Sequence, residues 1–139
     1  MVDPLEAAIA LTASDADLIV LVSSQVAGKH KFGDGWVIPS KAVQLQLDGG
    51  LPDLYTPRQV VRLELRCYGE SQADAVAVYG AMVGLSRRTE RTRVTTGGGV
   101  ALVYWLSFTS GPSLLVDPDV GVDYVLAFME ASVSEVDVP

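Results

Sequence analysis

Cysteine is nearly absent from this chain, with Cys67 standing alone. A single thiol excludes an internal disulfide and a cysteine metal cluster, and it fits a reducing compartment. Histidine is as scarce, His30 being the sole example. A serine hydrolase would need it as the base. There is no G-x-S-x-G elbow, and Ser23, Ser24 and Ser107 sit in ordinary contexts. Between Lys29 and Lys31, His30 reads as a surface or loop residue, and alone it cannot make a typical zinc site. Positive charge is also short: 10 Lys and Arg against 17 Asp and Glu give a net charge of −7. Such a surface repels phosphate backbones and argues against general nucleic-acid binding, while a repulsive wall would let DNA slide through a pore. Long apolar runs are missing, since Leu18–Val22 is too short to cross a membrane. Asp3 and Glu6 near the start, with no basic stretch, do not make a signal peptide.

Motifs for chemistry are missing too. Gly97-Gly98-Gly99 lacks the downstream Lys-Ser/Thr of a phosphate loop and opens no helix. Asp117, Asp119 and Asp123 depart from calcium-loop spacing, and Pro118 with Gly121 marks them as turn residues. No carboxylate pair is singled out for glycoside chemistry. No catalytic residue, metal or cofactor is expected.

What the chain does have is apolar content: 49% of its residues, against 19% charged. At 139 residues this predicts one globular domain, able to bury a core without staples. Mean hydropathy of +0.31 fits either buried subunit contacts or a well-filled core. The expected domain covers residues 1–133, with a loose acidic tail over 134–139.

Asp3-Pro4 opens a helix, Asp3 as cap and Pro4 at the first position, with Leu5, Ile9 and Leu11 as its stripe. A second helix follows from about Asp15 to Ser23, capped by Ser14, with Leu18, Ile19, Leu21 and Val22 toward a sheet. Residues 25–32 suit a short strand, and the turn-rich residues 33–40 carry Trp36. Val43, Leu45 and Leu47 alternate along a strand from Ala42 to Leu47, which Asp48-Gly49-Gly50-Leu51-Pro52 breaks. From Arg58 to Gly69 the alternation is clean: Val61, Leu63, Leu65 and Cys67 one way, Arg62, Glu64 and Arg66 the other.

Ser71 and Asp74 form a capping-box pattern before a helix reaching Arg88. Its wheel has three faces: Val76, Tyr79 and Val83; the small Ala73, Ala77, Ala81 and Gly84; and Val78, Met82 and Leu85. A helix apolar nearly all round is either enclosed in a core or shared with a second subunit. Thr92–Thr96 and Val100–Thr109 then form a hairpin whose tip, Gly97–Gly99, is expected to be mobile. Val100–Phe108 is apolar on both faces, as in a central or interface strand. Turns at Gly111-Pro112 and at Pro118–Gly121 bracket a short strand around Ser113–Val116, before a last long strand from Val122 to Val133. The order α-α-β-β-β-α-β-β-β-β, with short turns, predicts an α+β class: a mostly antiparallel sheet with helices packed against it.

Arg87, Arg88, Arg91 and Arg93 cluster in an otherwise acidic chain. They read as a grip for an acidic partner or phosphates, or as a helix C-terminus loaded with favourable cations. Trp36 in its Gly/Pro loop is a core plug or an exposed anchor. The candidate subunit or partner interface is therefore Val78, Met82, Leu85, the four arginines and Trp36.

The chain resembles the tail-terminator or tail-completion proteins of long-tailed bacteriophages and the related tail and neck components. The likeness rests on the opening helices (DPLEAAIALTASDADLIVLV), the strand-turn-helix RLELRCYGESQADAVAVYGAMVGL, and the closing strands VALVYWLSFTS and VDYVLAFMEAS. Within it, Cys67-Tyr68-Gly69 followed by Ala73–Tyr79 matches a strand ending in an aromatic residue, a small turn and an Ala-rich helix. The arginine cluster and the glycine tip match no family motif. The resemblance implies a structural virion protein at the head-proximal end of the tail, assembled in the host cytoplasm. It would form a ring, usually a hexamer, that caps the tail tube protein, stops its polymerisation and meets the head connector or neck. DNA would pass through without specific binding, with no cofactor, reaction or membrane. A head-closure protein is the alternative within the same logic. A small enzyme or ligand-binding domain would need a pocket with convergent polar groups, for which the sequence supplies no candidate.

Overall fold

The computed structural model describes residues 3–22, 26–28, 41–52, 58–117 and 122–135. Helix α1 (Pro4–Ala13) starts where expected: Asp3 accepts a hydrogen bond from the Leu5 N–H at 2.9 Å, and proline fills the first turn. Its inward side is Ala7, Ala8, Leu11 and Thr12, with Leu5 and Ile9 half-buried at the margin. Ser14 does not cap the next helix. Its N–H and hydroxyl close α1, donating to Ala10 and Leu11 carbonyls. Asp15 caps α2 (Ala16–Val22) instead, its Oδ2 accepting from the Leu18 N–H at 3.2 Å; a carboxylate also suits the helix dipole there. Leu18 and Val22 go inward, whereas Ile19 is 48% exposed, because so short a helix buries only one narrow stripe.

Among the described residues, six strands form one sheet: β1 (Val26–Gly28), β2 (Ala42–Pro52), β3 (Arg58–Tyr68), β4 (Thr92–Thr96), β5 (Gly99–Asp117) and β6 (Val122–Glu135). Their order is β1-β2-β3-β6-β5-β4, and every pair except the parallel β1–β2 is antiparallel. The α+β class with a mostly antiparallel sheet is thus correct. Helix α3 (Gln72–Arg88) connects the central β3 to the edge strand β4. Ser71 is its cap, accepting from the Asp74 N–H at 3.3 Å.

The alternation in β3 is realised in full. Val61, Leu63, Leu65 and Cys67 are buried and join Val43 and Leu45 of β2 and Val125, Ala127, Met129, Ala131 and Val133 of β6. Helices α1, α2 and α3 cover this face, placing Leu11, Leu18, Val78 and Met82 in the same core. Each fully buried leucine there contributes about 2 kcal/mol. The opposite face carries a small cluster of Ala42, Tyr68, Val122 and Tyr124, with the two tyrosine rings 5.4 Å apart.

Three strand boundaries differ from expectation. The Asp48–Pro52 stretch does not break β2; a register shift between Leu47 and Gly50 absorbs Asp48 and Gly49, and pairing with β3 resumes. Residues 99–117 are one strand, not two. Gly111, at φ +97°, lies where an added Cβ would fall 2.9 Å from Ala127 Cα, so glycine lets β5 bend past β6 without leaving it. Lastly, β6 runs on to Glu135; Ser134 pairs with Leu102 and Arg58 and is buried, so the expected loose tail cannot begin there. Residues 136–139 lie outside the described part.

Along β5 the two-sided apolar pattern has a specific cause. Another register shift, between Val103 and Trp105, changes which residues face the helices. Ala101 and Val103 point inward before it, and Leu106 and Phe108 after it. The bulge inverts the alternation that the sequence alone suggests.

Candidate functional site

Val78, Met82 and Leu85 are not available to a partner. They are 0%, 0% and 4% exposed, pressed against the chain's own sheet. This corrects the expected interface: the largest apolar face of α3 goes to the core, as amphipathic helices generally do. Tyr79 is held nearby, its ring edge-on to Phe108 with centroids 5.4 Å apart. Between its ends, α3 shows Ala73, Val76, Ala77 and Gly80 to solvent. Val76 is half exposed, and nothing lies within 4 Å of where a Gly80 Cβ would be.

The four arginines divide into two kinds. Arg88 is engaged: its Nη2 lies 2.8 Å from Asp15 Oδ1 and its Nη1 3.4 Å from Asp17 Oδ2, fastening the end of α3 to the start of α2. Hydrogen bonding to Asp15 raises its pKa above the ordinary arginine value. A cleft of about 230 Å³ beside this fork is lined by Leu11, Asp15, Leu85, Arg88 and Thr89. Its charged groups already satisfy each other, so it is a helix junction and presents no convergent polar set. Arg87, Arg91 and Arg93 are exposed and spread from the helix end into β4. Arg91 takes φ +46° at the turn, its N–H donating to the Tyr104 carbonyl at 3.2 Å. Trp36 and His30 lie outside the described residues.

On the helix-free face, Arg66 sits 5.2 Å from the Tyr124 ring centroid and 3.3 Å from Glu64 Oε1. Burial works against its charge, but hydrogen bonding to Tyr68 and the nearby Glu64 outweigh it, and its pKa rises. Cys67 is fully buried and burial alone pushes its thiol far up, so it is protonated and shielded at neutral pH. Among the described residues, no group of three His, Cys, Asp or Glu side chains is placed to hold a metal. No described helix is long and apolar enough to cross a membrane.

One exposed region was missed in the sequence. Leu114, Leu115 and Val116, at the end of β5, are 41%, 40% and 59% exposed. A signal existed: no charged residue occurs from Val94 to Val116, a run far longer than its five-residue hairpin partner β4 can cover. Asp117 closes this strand and Asp123 lies opposite Val116 on β6. Ile19 and Val20 on α2 are also exposed.

No protein-family model matches the chain, and no curated protein matches it. Among solved structures, a chain in the virion of a native gene transfer agent (GTA) particle is similar, with a TM-score of 0.59 at 17% identity over 87% of both chains. At that identity the likeness is one of fold.

Proposed function

We propose that this chain is a structural virion protein: a tail terminator whose copies form a ring, a hexamer by family resemblance, at the head-proximal end of a tail. The observation that carries this reading is the fold shared, over nearly the full length, with a chain of a gene transfer agent virion. Exposed apolar side chains at two separate places, Val76 on α3 and Leu114–Val116 on β5, support it, because assembly gives such surfaces a partner. Subunits would meet through two different patches whose contacts close by rotation. Loops on the two ring faces would meet the tail tube and the head connector. The net charge of −7 suits a lumen through which DNA slides without specific binding.

The reading assigns no reaction and no cofactor. Its test is deletion of the gene followed by electron microscopy of lysates. Intact heads and over-long, unjoined tubes are the expected result, since nothing caps the growing end. Heads that leak DNA beside tails of normal length would instead support the head-closure role. Normal infectious particles would overturn both.

A further inference from the structure

The two ends of β5 differ in charge as well as in cover. At the β4 end stand Arg91 and Arg93, both exposed, with Arg87 exposed at the end of α3. Arg93 pairs across the hairpin with Leu102. At the other end are the exposed Leu114, Leu115 and Val116, with the acidic Asp117 as the last residue of β5 and Asp123 paired with Val116. At about 3.3 Å per residue, Leu102 and Leu115 lie about 40 Å apart along the strand. One chain cannot bring these two ends together; two chains can.

We infer that the β5–β6 hairpin end of one copy docks against the Arg87–Arg91–Arg93 end of the next copy. This rests on the ring reading above and names the two surfaces that would build it. Three observations favour a second copy as the occupant. The patches carry opposite charge, so they attract each other, while each repels its own kind in a second chain. They are different patches at opposite ends, which yields a head-to-tail, heterologous contact of the sort that closes a ring. The hairpin end also supplies exposed apolar side chains on both faces of β5, Leu114 and Val116 on one and Leu115 on the other, with Asp123 opposite Val116, so apolar and acidic groups meet there as they do in a protein contact. Arg88 takes no part, being held by Asp15 and Asp17 within its own chain.

The test uses two charge-reversed full-length chains. In one, Arg91→Glu and Arg93→Glu make the basic end acidic. In the other, Asp117→Arg and Asp123→Arg make the hairpin end basic. Arg91, Arg93 and Asp123 are not among the buried core residues and Asp117 is the last residue of β5; circular dichroism checks that both variants fold. Sedimentation velocity over micromolar to several hundred micromolar then reads assembly. Each variant alone should associate at least about tenfold more weakly than the unaltered chain, because every contact then opposes like charges. An equimolar mixture should recover the oligomer, since each variant's altered end finds an opposite charge on the other. Loss without recovery in the mixture would overturn the pairing of these two patches. Undiminished association of both variants alone would overturn the contact and leave the ring reading standing. An unaltered chain that stays monomeric throughout would overturn the contact as well, whereas the ring reading falls only to the deletion phenotype.

The readout has an independent check in the chain's own cysteine. Cys67 is buried and does not compete in cross-linking. With Arg93→Cys and Leu115→Cys in one chain, oxidation should give ladders of linked chains. Bonds that form only within single chains would contradict the separation of the two ends.

Discussion

Ala101, Val103 and Leu106 near the start of β5 are buried, whereas Leu114, Leu115 and Val116 at its end are exposed. The two stretches are equally apolar. They differ in cover: Ala101 and Val103 lie between β4 and β6, and Leu106, already beyond β4 and paired with β6 alone, still joins the core under the helices, whereas Leu114–Val116 pair with β6 alone and join no core cluster. Hydropathy therefore sets which residues seek cover, and strand length and order decide which ones receive it within a single chain. In a soluble monomer an uncovered apolar edge is a liability that charge or proline normally blunts. Pro112, inside the register shift between Ser110 and Ser113, and the shift just before it blunt the middle of this edge, and the leucines beyond remain open.

The largest effect that would break this contrast comes from truncating one leucine at each end. Leu106→Ala should cost about 2–4 kcal/mol in urea unfolding, from lost burial and the cavity left behind. Leu115→Ala, measured at low concentration, should stay within about 0.5 kcal/mol of the unaltered chain. Equal losses would mean that the end of β5 is covered within the single chain.

A smaller effect sharpens the same contrast through ionisation. The buried Cys67 thiol has its pKa raised in the folded chain by loss of hydration. Its contribution is fully present below the unfolded thiol's value, about 8.5, and is lost as pH rises from there toward the folded value. Between those two values the unfolded state releases a proton that the native state retains. The chain should lose about 1.4 kcal/mol per pH unit more than Cys67→Ala does. A cysteine placed at the open end, Leu115→Cys in the Cys67→Ala background, should show no such excess and react at once with thiol reagents. Cys67 itself should react only as fast as the protein opens. Rapid labelling of Cys67 in the folded protein would contradict its enclosure.

How much of this was readable in the sequence follows from the same physics. The period-2 pattern of Val61–Cys67 predicts its burial because β3 is central, between β2 and β6, and pairs with β6 in unbroken register. The Asp3 and Ser71 caps are legible because capping is local chemistry between residues two or three apart. Bulges are not legible in this way. The shifts at Leu47/Gly50 and Val103/Trp105 depend on which strand lies alongside, and each changes which face a residue takes. The misplaced interface on Val78, Met82 and Leu85 has a related cause. A helical wheel shows how many apolar faces a helix has and gives no indication of which one the sheet will cover. The arginine cluster was visible, but its division into one latched and three exposed side chains depends on Asp15, distant in sequence.

That division carries the smallest prediction, which concerns the other end of the comparison. Helix α2 spans only Ala16–Val22, too short to be stable alone, and it buries just Leu18 and Val22. The Arg88 fork to Asp15 and Asp17 is its fastening to α3. The fork is exposed, so solvent screens it and overall stability should barely depend on it. Local order should depend on it more. In Arg88→Ala, amide exchange over Leu18–Val22 should quicken severalfold while the amides of α3 near Met82 keep their protection, since local opening needs only the free energy of that element. Arg93→Ala, which removes an exposed charge with no such fastening, should leave both unchanged. Faster α2 exchange in neither variant, or in both alike, would mean that Leu18 and Val22 alone hold the helix and that Arg88 belongs functionally with its three exposed neighbours.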